Sequence, residues 1–479
     1  MRINIDLFNI SIIVTSILSF LVSLFFYQNV SPGYNNIILL PLIYLFIYII
    51  ILQNLRRVPS YFVVYGIILM QWIRFVLMPP VIIMAGSMPG MAYINPSEFT
   101  LNLAILLMIY ELIFTSVFAF FWFTTRKKKL IFLSRDKDIS FKGNKLIYSL
   151  FIILGIVLAI TIGLNNNILN FAYIPIDETN QERIGDLTNT FLVLIRQIIL
   201  ISLFIIFLWT VHVAKKFYEK SSKSIYIDFA IIMALLNVII IVGERRTVQI
   251  YTALVCIWIL SKVFPYYKKR IIFNIGLVAF IVLFFMSVYK FLAAYTSGSY
   301  ITAIGSADMD IFWWSRTLQS YFFGPENIAA TIEFSKIYSS SGENLIFDIT
   351  RSIFGLSFLA KGDGILTSAA FNTYIYGENR QTGHVISAIG YGTIYFGKIL
   401  SPIIAVINII IAAKIEEFMK ISKSYEMMFV WCYILVRFAT NLFVSTPPLL
   451  SYGSMMLGTA GLLFITAIGL KSKGNNKLL

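Results

Sequence analysis

Charge is scarce in this sequence. Asp, Glu, Lys and Arg make up 13% of it, about half the share of a soluble domain, which excludes an ordinary water-soluble globule. Cysteine is nearly missing. Cys256 and Cys432 both sit inside apolar runs, so neither a disulfide framework nor a thiolate metal centre is expected. The two histidines, His212 and His384, are too few for a His/Cys cluster at metal-ligand spacing. No glycine-rich loop ends in Gly-Lys-Ser, which argues against an ATPase, and no Gly-x-Ser-x-Gly elbow is present. The absence of an internal repeat disfavours the inverted-repeat transporter folds. Neither a cofactor nor a metal is expected.

What remains is apolar: 58% hydrophobic residues and a mean hydropathy of +0.82. Runs of roughly 17 to 27 residues, each long enough to cross a bilayer as a helix, lie near 6–27, 36–54, 61–84, 100–124, 146–164, 187–213, 225–242, 248–265, 271–292, 386–413, 427–445 and 450–470. The first run, about Phe8 to Tyr27, is long and has no small-residue cleavage site after it, so it reads as a span rather than a signal peptide. The expected fold is all-α: a polytopic integral membrane protein of about 12 transmembrane helices, with residues 1–479 forming a single transmembrane domain.

The formal charge of +15 is distributed against nucleic-acid binding. Basic residues cluster in every second connection: Arg2; Arg56 and Arg57; eight Lys and Arg from Arg126 to Lys145; Lys215, Lys216, Lys220 and Lys223; Lys268, Lys269 and Arg270; Lys414, Lys420 and Lys423; Lys471, Lys473 and Lys477. The fifth connection is acidic, with Asp177, Glu178, Glu182 and Asp186. This alternation predicts cytoplasmic N- and C-termini in a multi-pass protein of the cell membrane.

One connection is unlike the others. Residues 294–385 carry eight acids and five Lys or Arg, and the orientation above puts them outside. Ile311-Phe-Trp-Trp314, Tyr321-Phe-Phe323 and Ile353-Phe-Gly-Leu-Ser-Phe358 are too apolar for a disordered loop. The expectation is a large external loop holding short amphipathic helices on the membrane surface or over its outer mouth. A transporter core has little need of so large a polar insert; an enzyme working at the membrane surface does.

Charges within spans mark pathways or sites, because burying them in hydrocarbon is costly. Arg74, Arg196 and Arg437 lie in spans, Lys290 lies near a span end, and Glu111 is the one comparably deep acid. Each arginine alone could snorkel or meet backbone carbonyls. An excess of buried cations without acid partners suits an anionic ligand, and guanidinium forks match phosphate oxygens. Gly243-Glu244-Arg245-Arg246-Thr247 puts two arginines on the outer side. Glu244 can pair with one while the other meets a phosphate. The stretch from Phe371 to Gly397 mixes glycines, which allow close backbone approach, with Glu378, Arg380 and His384. Arg380 can hold phosphate and His384 can move a proton near neutral pH. His212, at a cytoplasmic span end, reads as structural.

These features resemble the bacterial O-antigen or capsular repeat-unit polymerases (Wzy-type). The likeness covers the whole topology. Locally it rests on Gly243 to Thr247, on Asn372-Thr-Tyr374 followed by His384, and on the glycine-rich Ser387 to Gly397. The family's arginine-rich external loops correspond to Arg316, Arg351 and Arg380, and Arg351 is followed eleven positions later by Gly362.

The resemblance implies a GT-C-like polymerase/ligase fold and a metal-independent glycosyltransferase. It would take two undecaprenyl-diphosphate-linked oligosaccharides and pass the growing chain to the non-reducing end of a fresh unit. Arg245, Arg246, Arg74, Arg196, Arg437 and Lys290 would bind diphosphate, with Arg351 and Arg380 in the external site. His384 or a carboxylate such as Glu378 would accept the proton of the attacking hydroxyl, supported by Glu244, Asn372 and Tyr374. The implied setting is the bacterial cytoplasmic membrane with the site on its external face. Implied partners are a chain-length regulator and other polysaccharide-assembly membrane proteins. An O-antigen ligase-type transferase and a lipid-linked oligosaccharide flippase are the competing readings.

Overall fold

A computed structural model describes residues 6–56, 62–86, 94–126, 139–164, 169–171, 190–242, 246–292, 310–360, 364–377 and 383–475. Among these, helix is the dominant element, and the apolar runs account for most of it. Helices α1 Leu7–Phe25, α2 Asn35–Arg56, α3 Phe62–Ala85, α4 Glu98–Thr125, α5 Lys145–Gly163, α6 Thr190–Ser221, α9 Lys268–Leu292 and α17 Thr446–Lys471 include eight stretches long and apolar enough to cross a membrane. Polar caps start several of them: Asp6 accepts from the Phe8 N–H, Ser97 from Thr100 and Asn144 from Leu146, which satisfies amides that the first turn leaves free.

The remaining expected spans are helical but short, or bent. Helices α7 Ile225–Ile239, α8 Arg246–Val263 and α16 Tyr425–Ala439 have 15, 18 and 15 residues. That is about 22–27 Å at 1.5 Å per residue, against roughly 30 Å of hydrocarbon. Helix α7 stops short because Ile240-Ile241-Val242, a β-branched run, is extended. It forms strand β2 Ile240–Val242, paired antiparallel with β1 Leu169–Phe171. Between α9 and α16 the expected single span is two helices, α14 Ala388–Leu400 and α15 Ile403–Ile421, bent by 114°. Gly397 has φ +72° within α14, a left-handed value that glycine adopts freely. Pro402, with no N–H, cannot extend α14. A Cβ on Gly392 would lie 2.1 Å from the Ser401 carbonyl oxygen, so the fold-back after α14 depends on that glycine. Counting the bent pair as one span, nine stretches among the described residues are long and apolar enough to cross.

The chain forms two compact units. The first comprises Met1–Arg135, Asp308–Phe418 and Arg437–Met455; the second comprises Asp136–Ala307, Met419–Val436 and Met456–Leu479. Residues 308–385 of the insert fall in the first. It contains α10 Ile311–Phe322, α11 Pro325–Ile337, α12 Gly342–Ser352 and α13 Thr367–Tyr376. Short helices are present as expected, but α11 does not lie on a surface. Residues Pro325 to Ile332 are all buried, and α11 packs against α4 and α14. Ala329 and Ala330 let the helices approach closely.

Candidate functional site

The first unit brings its irregular segments together. After α16, residues 440–445 leave the helix, and the Asn408 side chain replaces the missing backbone partners. Its Nδ2 donates to the Leu442 and Val444 carbonyls at 2.9 and 2.7 Å, and its Oδ1 accepts from Thr446 Oγ1 at 2.9 Å. The segment before α14 runs antiparallel to this one. Ala388 N donates to Phe443 O at 2.7 Å and Ser445 N to Ile386 O at 3.0 Å. Non-helical backbone at span depth survives only where protein or a polar cavity satisfies it, and here the two segments satisfy each other.

His384 begins one side of this scaffold. Asn372, buried on α13, clamps it through the backbone: Nδ2 donates to His384 O at 2.9 Å, and His384 N donates to Oδ1 at 2.7 Å. The imidazole stacks on Tyr376, 5.4 Å between centroids at 11°. The clamp holds the His384 backbone, and the stack orients its ring. Tyr374 lies beside the Phe334 ring, and its phenol pKa is pushed up by burial and then by the Glu333 carboxylate.

Arg74 lies beneath the other side, in a π-helical stretch of α3, Ile73–Leu77; such insertions recur at functional sites. It is 1% exposed. The expectation that the buried cations lack acid partners fails here, because Arg74 Nη1 meets Glu111 Oε2 of α4 at 2.7 Å. Its Nη2 donates to Phe323 O at 3.2 Å, and its guanidinium carbon lies 4.7 Å from the Phe443 ring centre. Phe323, which ends α10, is itself left-handed at φ +54°, an uncommon state for a bulky residue. Arg74 Nε and Glu111 Oε1 make no hydrogen bond to a described residue. A small, partly open cleft with a cavity volume of about 10 Å³ is lined by Arg74, Tyr321, Phe323, Thr440, Asn441 and Phe443 among others.

A third polar cluster holds the insert to α14. Asp348 Oδ2 accepts from the Tyr391 and Tyr395 hydroxyls at 2.8 and 3.4 Å, and Oδ1 accepts from Thr367 N at 3.0 Å. Asp348 thereby fixes α12, whose last turn carries the exposed Arg351. Near the start of α11 the buried Glu326 acts on Tyr34: burial first, then that carboxylate, raises the Tyr34 phenol pKa, and a Gln319 hydrogen bond opposes the rise.

The first unit therefore gathers His384, Asn372, Tyr374, Arg351, Arg74 and Arg437. Arg437 stacks over Tyr452 at 4.7 Å. Arg196 is half-buried on α6 in the second unit. Glu244, Arg245, Glu378 and Arg380 lie outside the described residues, as do the side chains of Arg246 and Lys290. Sequence reasoning missed Asp348, Asn408 and the partnership of Glu111. Asn408, alone in the apolar run Ile403 to Ala413, was the available signal; nothing in the sequence singled out Asp348 among eight acids. Among the described residues no group of three His, Cys, Asp or Glu is placed to hold a metal ion. Comparison with protein-family models, with characterised proteins and with solved structures gives no match.

Proposed function

We propose that this chain is a membrane glycosyltransferase that joins lipid-linked oligosaccharide repeat units, as the resemblance to repeat-unit polymerases implied. One observation carries the reading: a clamped histidine and a buried arginine are tied to a single hydrogen-bonded scaffold, Ile386–Ala388 against Phe443–Ser445. A transferase acting on a glycosyl diphosphate needs a base for the acceptor and a cation for the leaving group. In the reaction, the anomeric C–O bond to the diphosphate breaks and a C–O bond to the acceptor hydroxyl forms. The hydroxyl proton passes to His384, and the lipid diphosphate departs with the electron pair. Two of the five N–H groups of Arg74 are committed to Glu111 and Phe323, which leaves donors for an anion; the cleft, at about 10 Å³, must widen to admit one. Twelve crossings, both termini in the cytoplasm and an external site in a bacterial cell membrane belong to the same proposal.

The test uses purified chain in liposomes with one lipid-linked repeat unit. Extension should proceed without nucleotide sugar, ATP or divalent metal, and His384→Ala should abolish it while the protein stays folded. A strict need for any of those additions, or full activity of the variant, would remove the transferase reading. A second reading, transport of the same lipid-linked unit, is favoured by the buried Arg74–Glu111 pair, since buried pairs in spans often mark a transport pathway. In cells, loss of the transferase leaves single units exposed to an added impermeant glycosidase; loss of a transporter leaves them protected.

A further inference from the structure

Helix α10 is built inside out. Its buried side chains are Ser315 and Gln319, both 0% exposed, while Phe312, Trp314 and Tyr321 face outward beside Arg316. A helix in water would present the opposite pattern. The turn that follows α12 repeats it: Phe354, Leu356, Phe358 and Leu359 are exposed, Phe358 by 64%, directly after the exposed Arg351. A contiguous exposed apolar patch needs an occupant.

Position along the spans supplies it. Helix α10 packs along Met78–Ala85 of α3, and Phe323 at its end reaches Arg74, eleven residues, or about 17 Å of axis, inside the end of that span. In the second patch, Phe354 N donates to Ser454 Oγ at 2.9 Å, and Ser454 lies about 12 Å along α17 from its start. Both patches are therefore fastened to span helices at hydrocarbon depth. Helix α10 has the composition of a membrane interface, where Trp and Tyr sit at headgroup level and arginine reaches phosphate; the second patch sets Phe and Leu beside Arg351.

We propose that α10 and the turn Ile353–Ala360 are immersed in the phospholipid leaflet on the insert's side, with Arg316 and Arg351 at its phosphate groups. The insert is then partly a lipid-bathed collar rather than a soluble cap. This holds whether the chain transfers sugars or transports them.

The test uses the full chain in nanodiscs of phosphatidylethanolamine and phosphatidylglycerol. Cys256 and Cys432 are buried and stay in place while single cysteines at 314, 356, 358 and 343 are spin-labelled. Collisions with oxygen should dominate at 314, 356 and 358, and collisions with a water-soluble nickel chelate should dominate at 343, where Glu343 is exposed on α12. Nickel dominance at 356 and 358 overturns the proposal. A measurement on the unaltered chain guards against misfolded variants. A carbene-generating probe dissolved in the hydrocarbon should modify residues 311–322 and 353–360 along with the exposed face of α1. Modification of α1 alone again overturns it.

Discussion

The two units solve the same problem with different means. In the first, helices are interrupted and polar side chains are buried to mend the breaks: Asn408 for residues 442–446, Asn372 for His384, Asp348 for the start of α13, and Arg74 for the end of α10. In the second, the described helices α5 to α9 are bound mainly by apolar contact, as where Ile195, Ile199 and Val242 pack together. Each unit nevertheless has a carboxylate that collects the amides of an incoming chain. Glu416 accepts from Phe62 and Val63 at 3.0 and 3.1 Å in the first unit. Glu426 accepts from Lys142, Gly143 and the Tyr148 hydroxyl at 2.9, 2.8 and 3.3 Å in the second. Buried polar groups are costly in an apolar interior, so their concentration in one unit marks where the backbone must depart from helix, and that is also where chemistry is possible.

The largest effects should come from breaking the first unit's buried groups singly. Arg74→Met or Glu111→Met strands a buried charge, which costs roughly 3–5 kcal/mol. The double variant should recover most of that, because a buried pair is often replaceable by apolar groups. Thermal unfolding in detergent measures all three. Two silent single variants would mean the pair contributes nothing to the fold. Gly392→Ala belongs in the same class. Its methyl group meets the Ser401 carbonyl with no side chain to move aside, so folded yield should fall sharply.

Asn408→Leu keeps the volume and removes three hydrogen bonds. It leaves the Leu442 and Val444 carbonyls buried without that donor, at about 1–3 kcal/mol each. Amide exchange at 440–446 should accelerate well before that of α4. Uniform acceleration would show that Asn408 supports the whole unit rather than this loop.

How much of this could be read from the chain follows the same division. Long apolar runs fix helices almost by themselves, so α1 to α6 fall close to where hydrophobicity puts them. The breaks were harder. Ile240–Val242 is as apolar as the helix before it, and only its β-branched composition hints at a strand. Pro402 and Thr440-Asn441 interrupt runs that still look long enough to span. At the site, His384 and Asn372 stood out because polar residues there adjoin glycines. The partners of Arg74 did not, because Glu111 and Phe323 lie 37 and 249 residues away, and helix packing alone sets their register.

A smaller effect is expected at the two staples. Glu426 receives two backbone amides and the Tyr148 hydroxyl, and Glu416 receives the amides of Phe62 and Val63. Neutralising the carboxylate to an amide weakens charge-assisted bonds and turns one acceptor into a donor facing N–H groups. Glu426→Gln and Glu416→Gln should each cost about 1–3 kcal/mol, less than the loss at Arg74 or Glu111. No loss at either position, by the same thermal unfolding measurement, would mean that these carboxylates do not hold the incoming chains.

The smallest effect is expected in the second unit, at Gly276 of α9. A Cβ there meets nothing within 4 Å, and the residue sits in uninterrupted helix. Alanine restricts the unfolded chain and favours helix, worth roughly 0.5–1 kcal/mol. Gly276→Ala should therefore leave the unfolding temperature unchanged or raise it by a few degrees, where the same methyl group at Gly392 is ruinous. A clear loss at Gly276 would mean that another helix approaches α9 there in the membrane, through an association that the single chain does not contain.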